Sequence, residues 1–492
     1  MKKVLIVYCE KKANIPRIPL ASVAIASYAR KKGYNPEILD LRLDNYDNIN
    51  FKDYIAVGLG TLTGPGIKYG RILAKEAKRQ NPEIVIAWGG PHVSLFLEQS
   101  LKDKYVDVIV REEGDASFVE LLDTISKNKP LDIVRGISFK KDGKIIHNPS
   151  VPLMELDELD YPAYDLLKGI ERYADLKEEF GYESSRGCPH RCQFCYCLDF
   201  HKQKWRAKSA EHVLRDIDRI VKDYNPRKIF LPDDNFFVNK KRVMDICKGI
   251  IERKYKVKWG ACARMDYISR YTDEELKTLK DGGCWYLGLG AESGSVKGLN
   301  ILKKDITKEQ SILATKKLVR HGILPQISFV IGFPGETKKD MMETLNLYDR
   351  LMDVHHTVEV NGVFIFYPIP GTPMYDQAIK LGYDTKETFK DWAEWRSNNP
   401  ANTPWWDAKY KKQLFTISRI VRFKYFMHRL KYSYSKEFLK NKLRTPQNRI
   451  LFAIFMPLYK LSANIRWKTR FFSYGYEWNL FNYVTKKKFE IY

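Results

Sequence analysis

Two successive stretches of the chain alternate short apolar runs with helical segments, and that doubled rhythm leaves few folds open. In the first 150 residues the apolar runs are 4–8, 37–41, 55–60, 84–90 and 106–110, with helical periodicity at 20–32, 67–80 and 116–126 between them. Strands apolar on both faces and joined by crossover helices predict a doubly wound, Rossmann-like parallel sheet. Ligands of such sheets sit beyond the carboxyl ends of the strands. The candidate loops are therefore Thr61-Leu62-Thr63-Gly64 and Gly89-Gly90-Pro91-His92.

A second alternation begins at 182. Its strands are expected at 182–186, 228–231, 258–263, 286–291, 325–331 and 359–366, and its helices at 210–224, 240–254, 273–281, 308–320 and 338–352. Six such units suffice for an open, partial (β/α)6 barrel. Each unusual polar cluster follows a strand: Asp233-Asp234-Asn235, Arg264-Met265-Asp266, Glu292-Ser293-Gly294 and the loops at 332–336 and 368–373. In a β/α barrel that face carries the chemistry. The expected organisation is an α/β chain with a sheet domain at 1–150, an acidic linker at 151–180, a barrel at 181–380 and a mainly helical module at 381–492.

At about 150 residues per domain, 492 residues suit this plan. A mean hydropathy of −0.42, with no apolar run of about 18 residues, argues against a membrane span. The opening MKKVLIVYC is too short for a signal peptide and reads as a first strand, so a cytoplasmic location is expected. Four of the eight cysteines lie between 188 and 197, which suits a metal site and not a disulfide framework. Cys188-x3-Cys192-x2-Cys195 can wrap three corners of a cubane iron–sulfur cluster, leaving the fourth iron open to a substrate or cofactor. The rival is a structural zinc site using Cys197 or His190 as a fourth ligand, although no second ligand pair exists. Cys9, Cys247, Cys262 and Cys284 read as core residues.

Residues 401–492 hold 20 Lys and Arg against 4 Asp and Glu, and 23 of the 65 aromatic residues. The amphipathic stretches 414–426 and 450–461, flanked by cations, suit a peripheral helix on an anionic membrane surface. A basic cap with its aromatics packed inward fits the same pattern. Nucleic acid would use the same cations and aromatic faces.

The cysteine spacing, with Phe194 before the last cysteine, resembles the radical S-adenosylmethionine superfamily. The resemblance continues through FLPDDNFF (230–237), GLGAESGS (288–295), IGFPGET (331–337) and YPIPGTPMY (367–375). It implies a [4Fe-4S] cluster on Cys188, Cys192 and Cys195, whose open iron chelates the methionine end of S-adenosyl-L-methionine and yields a 5′-deoxyadenosyl radical. It also implies Phe194 near the adenine, with Arg264 and Glu292 touching ribose or methionine; a simple Arg264–Glu292 ion pair is the alternative. Asp233 and Asp234 are expected to cap the following helix or line the substrate space.

The amino-terminal pieces Pro19-Leu20, Thr61-Leu62-Thr63, Gly89-Gly90-Pro91-His92, Arg111-Glu112-Glu113-Gly114-Asp115 and LDELDYPAYDLL (156–167) are similar to the cobalamin-binding domain of B12-dependent radical enzymes. That likeness implies cobalamin against Thr61, Leu62, Thr63, Gly89, Gly90, His92, Glu113 and Gly114. No Asp-x-His-x-x-Gly motif offers a histidine to cobalt, and Glu112 stands where the family usually has glycine.

Together these resemblances imply a methyltransferase acting on an unactivated carbon of a hydrophobic small molecule or lipid, supplied by an external electron donor of ferredoxin or flavodoxin type. A ring-forming reaction of the anaerobic porphyrin cyclase type uses the same cofactors. An RNA-modifying role is disfavoured, because the tRNA methylthiotransferases carry three further cysteines in their first domain and only Cys9 occurs here. No side chain is assigned a catalytic role.

Overall fold

Parallel strands must bury both faces, and each apolar run supplies alternating sets of side chains for the purpose. The computed structural model describes residues 2–11, 16–173, 179–395, 403–432 and 446–473, with the side chains of 430–456 outside the description. The first sheet holds β1 (Lys3–Tyr8), β2 (Asn35–Asp40), β3 (Tyr54–Gly60), β4 (Val85–Gly89), β5 (Val108–Val110), β6 (Ile137–Lys141) and β7 (Lys144–His147), ordered β2-β1-β3-β4-β5-β6-β7. Val4 and Ile6 pack with the helices Leu20–Lys31 and Gly114–Ser126, whereas Leu5 and Val7 pack with the helix Gly66–Gln80. β1 to β5 are parallel. The last two strands are antiparallel, so the sheet is mixed and not wholly parallel as expected. The signal for this hairpin was Asp142-Gly143, whose φ angles of 50° and 74° suit a two-residue turn of the kind that Asp-Gly favours.

The second sheet is the expected six-stranded open barrel. It contains β8 (Phe180–Gly181), β11 (Lys228–Leu231), β12 (Lys258–Ala263), β13 (Cys284–Glu292), β14 (Leu324–Ile331) and β15 (Glu359–Ile365), all parallel and in the order β15-β14-β13-β12-β11-β8. The single strand expected at 182–186 is broken instead. Its second part, β9 (Ser185–Arg186), forms a short antiparallel ladder with β10 (Arg206–Ala207). Helix starts follow from local chemistry: Thr272, Thr307 and Thr337 form capping boxes with Glu275, Gln310 and Asp340.

Strand parity separates the two barrel faces. Ile229, Leu231, Ala261, Leu287, Leu289, Ile327 and Phe329 are buried. The opposite set, Phe230, Cys262, Tyr286, Gly288, Ser328 and Phe364, faces the concave side; Cys262 is exposed there and is not a core residue as expected. Apolar character on both faces concealed that difference.

The helix Ala408–Tyr432 runs along β15, burying Tyr410, Leu414, Ile417, Ile420, Val421 and Phe423. The indoles of Trp405 and Trp406 donate to the Gly332 carbonyl at 2.9 and 3.0 Å. The helix Pro446–Thr469 buries Tyr459, Ala463 and Trp467, and the Trp467 indole donates to Asp349 at 2.6 Å. The stretch 414–426 therefore belongs to the core, as the cap reading requires. Of the stretch 450–461, the side chains 450–456 lie outside the described residues, while Leu458 and Leu461 are exposed. Among the described residues no helix is long and apolar enough to cross a membrane.

Ile417 is fully buried, so Ile417→Ala should destabilise the protein by about 2–5 kcal/mol. The exposed Leu458→Ala should stay within about 0.5 kcal/mol. Chemical denaturation of the two variants checks the difference, and an Ile417→Ala protein as stable as its parent would show that the helix is not docked on the barrel.

Candidate active site

The three cysteines sit on a loop, 187–205, that leaves the barrel after β9 and returns through β10. Gly187 forms its neck at φ 82°, where a Cβ would stand 2.0 Å from the Lys204 carbonyl, so no other residue fits. The Cys195 amide donates to the Cys192 carbonyl at 3.1 Å, turning the chain back between the second and third thiols. Polar hydrogens face the sulfurs: Asn235 Nδ2 lies 3.5 Å from Cys188 Sγ and Arg264 Nη1 lies 3.8 Å from Cys192 Sγ. Burial pushes the Cys192 thiol up, against the pull of Lys304 and Arg264. Such cations would favour thiolates and a negatively charged cluster. Three soft donors on one loop could hold three irons of a cubane.

Arg264 and Glu292 do not pair with each other. Arg264 donates to Asp266 at 2.9 Å and to the Lys304 carbonyl at 2.6 Å. Glu292 sits on a β-bulge at φ 58° and accepts from Lys304 Nζ at 2.9 Å. A Cβ at Gly290 would stand 1.9 Å from the Glu292 carboxylate and 2.8 Å from Lys304 Nζ, so that glycine makes room for the pair. Burial works against the Lys304 ammonium, yet its pKa is raised because Glu292 stands beside it. Lys304 escaped the sequence analysis; it follows the turn at 302–303 and no motif marks it. Phe194 enters an apolar nest of Leu302, Phe333, Phe366 and Met374.

The paired aspartates hold the cysteine loop instead of capping a helix, a role that Asn239 takes by accepting from the Arg242 amide. Asp233 is buried and accepts from the Ser184 amide at 2.8 Å and from the Ser184 and Ser185 hydroxyls at 2.6 Å each. Asp234 accepts from the Gly187 amide at 2.9 Å and the Tyr196 hydroxyl at 2.6 Å. It thus fixes the residues on either side of the cysteine run.

The strand ends of the first sheet face this loop. Gly60 and Gly89 end β3 and β4, and a Cβ on either would meet no side chain within 3.4 Å, while Leu62 between them is 54% exposed. Gly90 adopts φ 101° with the Thr61 carbonyl 2.5 Å from where a Cβ would stand. This open, side-chain-poor shelf could take a flat macrocycle. Thr61 is buried and its hydroxyl donates to the Leu62 carbonyl. Thr63 Oγ1 lies 2.9 Å from His92 Nδ1. His92 itself is enclosed by Phe96, Phe389 and Trp392, and burial lowers its pKa to about 3. Its ring joins the first sheet to the segment 386–395 and touches the shelf only from beneath, through the Thr63 hydroxyl. Glu113 turns its carboxylate toward Arg186 and Arg206 of the barrel, and Gly114 opens the helix Gly114–Ser126. Leu95, after β4, packs on Gly371, after β15, so loops of the two sheets touch there, and Tyr367 meets Trp395 of the segment that follows the barrel.

Residues 182–348 match the radical SAM superfamily and residues 15–122 match the B12 binding domain. An uncharacterized methyltransferase of Pyrococcus horikoshii is 33% identical over 77% of this chain and 83% of its own length. An anaerobic magnesium-protoporphyrin IX monomethyl ester cyclase of Rubrivivax gelatinosus is 28% identical over 67% of this chain and 61% of its own. Among solved structures, the cobalamin-dependent S-adenosylmethionine radical enzyme OxsB, with aqua-cobalamin and S-adenosylmethionine bound, superposes with a TM-score of 0.71 at 21% identity. It covers 99% of this chain and 75% of that one. The two matched domains, the shared fold and the identity to the Pyrococcus relative establish that the chain belongs to the cobalamin-dependent radical S-adenosylmethionine enzymes of the methyltransferase type.

Proposed function

We propose that this enzyme methylates an unactivated carbon of a hydrophobic small molecule or lipid. The observation that carries the substrate class is the concave barrel wall below the cysteine loop. Phe230 and Tyr286 stack there at 6.2 Å and 12°, with Phe364 and Cys262 exposed beside them. Gly260 and Gly362 lie under Tyr286 and Phe364, where a Cβ would clash at 2.0 and 2.6 Å, so the aromatic rings lie flat on the wall. Such a surface favours an apolar body over an ionic one.

When bound, the cluster with S-adenosyl-L-methionine supplies a hydrogen-abstracting radical and cobalamin supplies the methyl group. Cys188, Cys192 and Cys195 hold the cluster in this reading. Arg264, Glu292 and Phe194 orient the S-adenosyl-L-methionine, with Lys304 keeping the Glu292 carboxylate in place. The shelf of Thr61, Leu62, Thr63, Gly89 and Gly90 carries cobalamin opposite. An external one-electron donor completes the reaction. The exposed Leu458, Leu461 and Ile465, on one helical face with Lys468, support peripheral attachment to an anionic membrane surface.

Anaerobic reconstitution tests the ligand set. Replacing Cys188, Cys192 or Cys195 by Ala should abolish cluster absorbance, while Cys197→Ala should retain most of it. A cluster-loaded Cys192→Ala protein would overturn the assignment.

Because His92 is enclosed, bound cobalamin should be base-off with no protein nitrogen on cobalt. Electron paramagnetic resonance of the Co(II) form checks this, and nitrogen superhyperfine splitting would contradict it. Product mass then separates methylation, a gain of one CH2, from ring formation, a loss of hydrogen.

For the membrane surface, co-sedimentation with anionic vesicles should weaken as salt rises. Binding to neutral vesicles alone would refute the electrostatic part.

A further inference from the structure

The loop bearing the three cysteines is closed at its base by the β9–β10 ladder, where Arg186 and Arg206 stand directly opposite each other. Their side chains are only 10% and 13% exposed, so solvent screens their mutual repulsion poorly, and like charges facing across a ladder splay it. One carboxylate serves both guanidiniums. Glu113 Oε2 accepts from Arg186 Nη1 at 3.0 Å, and Glu113 Oε1 accepts from Arg206 Nη2. Arg186 has two further carboxylates, Asp115 at 2.6 Å and Glu183, which accepts from its Nε at 2.8 Å. The remaining described partner of Arg206 is the neutral Met154 carbonyl.

Glu113 does not belong to the barrel. It follows β5 of the first sheet and immediately precedes the helix Gly114–Ser126. The same Oε1 lies 3.5 Å from His201 Nδ1, and His201 Nε2 lies 3.3 Å from Asp234, the carboxylate that holds Gly187 and Tyr196. A continuous polar chain thus runs from the first sheet to the residues flanking the cysteines. Beside it, Lys202 meets Glu112 at 2.5 Å.

We infer that Glu113 is a positioning residue that neutralises the arginine pair at the loop base and thereby fixes the cysteine loop against the cobalamin-binding sheet. The inference rests on the reading of Cys188, Cys192 and Cys195 as cluster ligands. Without the Glu113 charge, Arg186 keeps Asp115 and Glu183 while Arg206 keeps no carboxylate among its described partners, so the strain falls on β10. Removing the Arg206 charge as well should relieve it.

The test compares the full-length parent, Glu113→Gln, Arg206→Gln and the double variant after anaerobic reconstitution. The readouts are iron and sulfide per chain and the electron paramagnetic resonance spectrum of the reduced cluster with and without S-adenosyl-L-methionine. Glu113→Gln should retain several-fold less iron than the parent, with a broadened cluster signal that no longer shifts on addition of S-adenosyl-L-methionine. The double variant should regain most of the iron and the shift, and Arg206→Gln alone should stay near the parent. A Glu113→Gln protein with parental iron and spectrum would overturn the inference, as would a loss that the double variant fails to recover. Should Glu113→Gln not fold, recovery of fold and cluster by the double variant decides the matter. A parent that takes up no iron would instead overturn the ligand assignment on which the inference rests.

Discussion

A buried parallel strand needs covering on both faces, and nearly every other feature of this protein answers to that demand. The first sheet meets it with helices on either side, which leaves its strand ends as the surface where backbone can approach a ligand. The barrel meets it on the outer face only. Its inner face carries Phe230, Tyr286, Cys262 and Phe364 over glycines, with Cys262 and Phe364 exposed. The loops at the two sets of strand ends touch where Leu95 packs on Gly371.

Charge around the cysteine loop is heavily paired. Arg264 with Asp266, Lys304 with Glu292 and Arg186 with Glu113, Asp115 and Glu183 all lie close to the cysteine loop. A buried ion is tolerable only when its partners satisfy it, and removing one partner leaves the other uncompensated. The pairs therefore act as geometry: each fixes a strand end or loop that an apolar contact would allow to slide.

The carboxyl-terminal module is part of this construction. The helix Ala408–Tyr432 covers the edge strand β15, and Trp405 and Trp406 tie the loop after β14. An uncovered edge strand would offer unpaired backbone groups to other chains. Much of the aromatic content of the module is explained by packing of this kind, while Leu458, Leu461 and Ile465 remain as an exposed face.

Much of the architecture was legible because periodicity is local. The helices Ala210–Tyr224, Asp273–Asp281, Lys308–Arg320 and Lys338–Met352, and the strands β11 and β12, fall where hydrophobic spacing and capping residues put them. The cysteine spacing is likewise local, since three thiols within eight residues must share one loop. The hairpin β6–β7 was readable from Asp142-Gly143, but its place at the end of a parallel sheet was not. What only the tertiary structure decided is partnership at long range. Nothing near Asp234 in sequence says that it holds Gly187 and Tyr196, nothing near Lys304 says that it meets Glu292, and the parity that turns Cys262 toward the concave face depends on which side the helices cover. The sequence by itself determines elements and motif spacing, because both depend on neighbours along the chain. Pairing among buried charges, and the choice of which strand face stays open, depend on the packing of distant segments, and so they emerge only when the chain has folded.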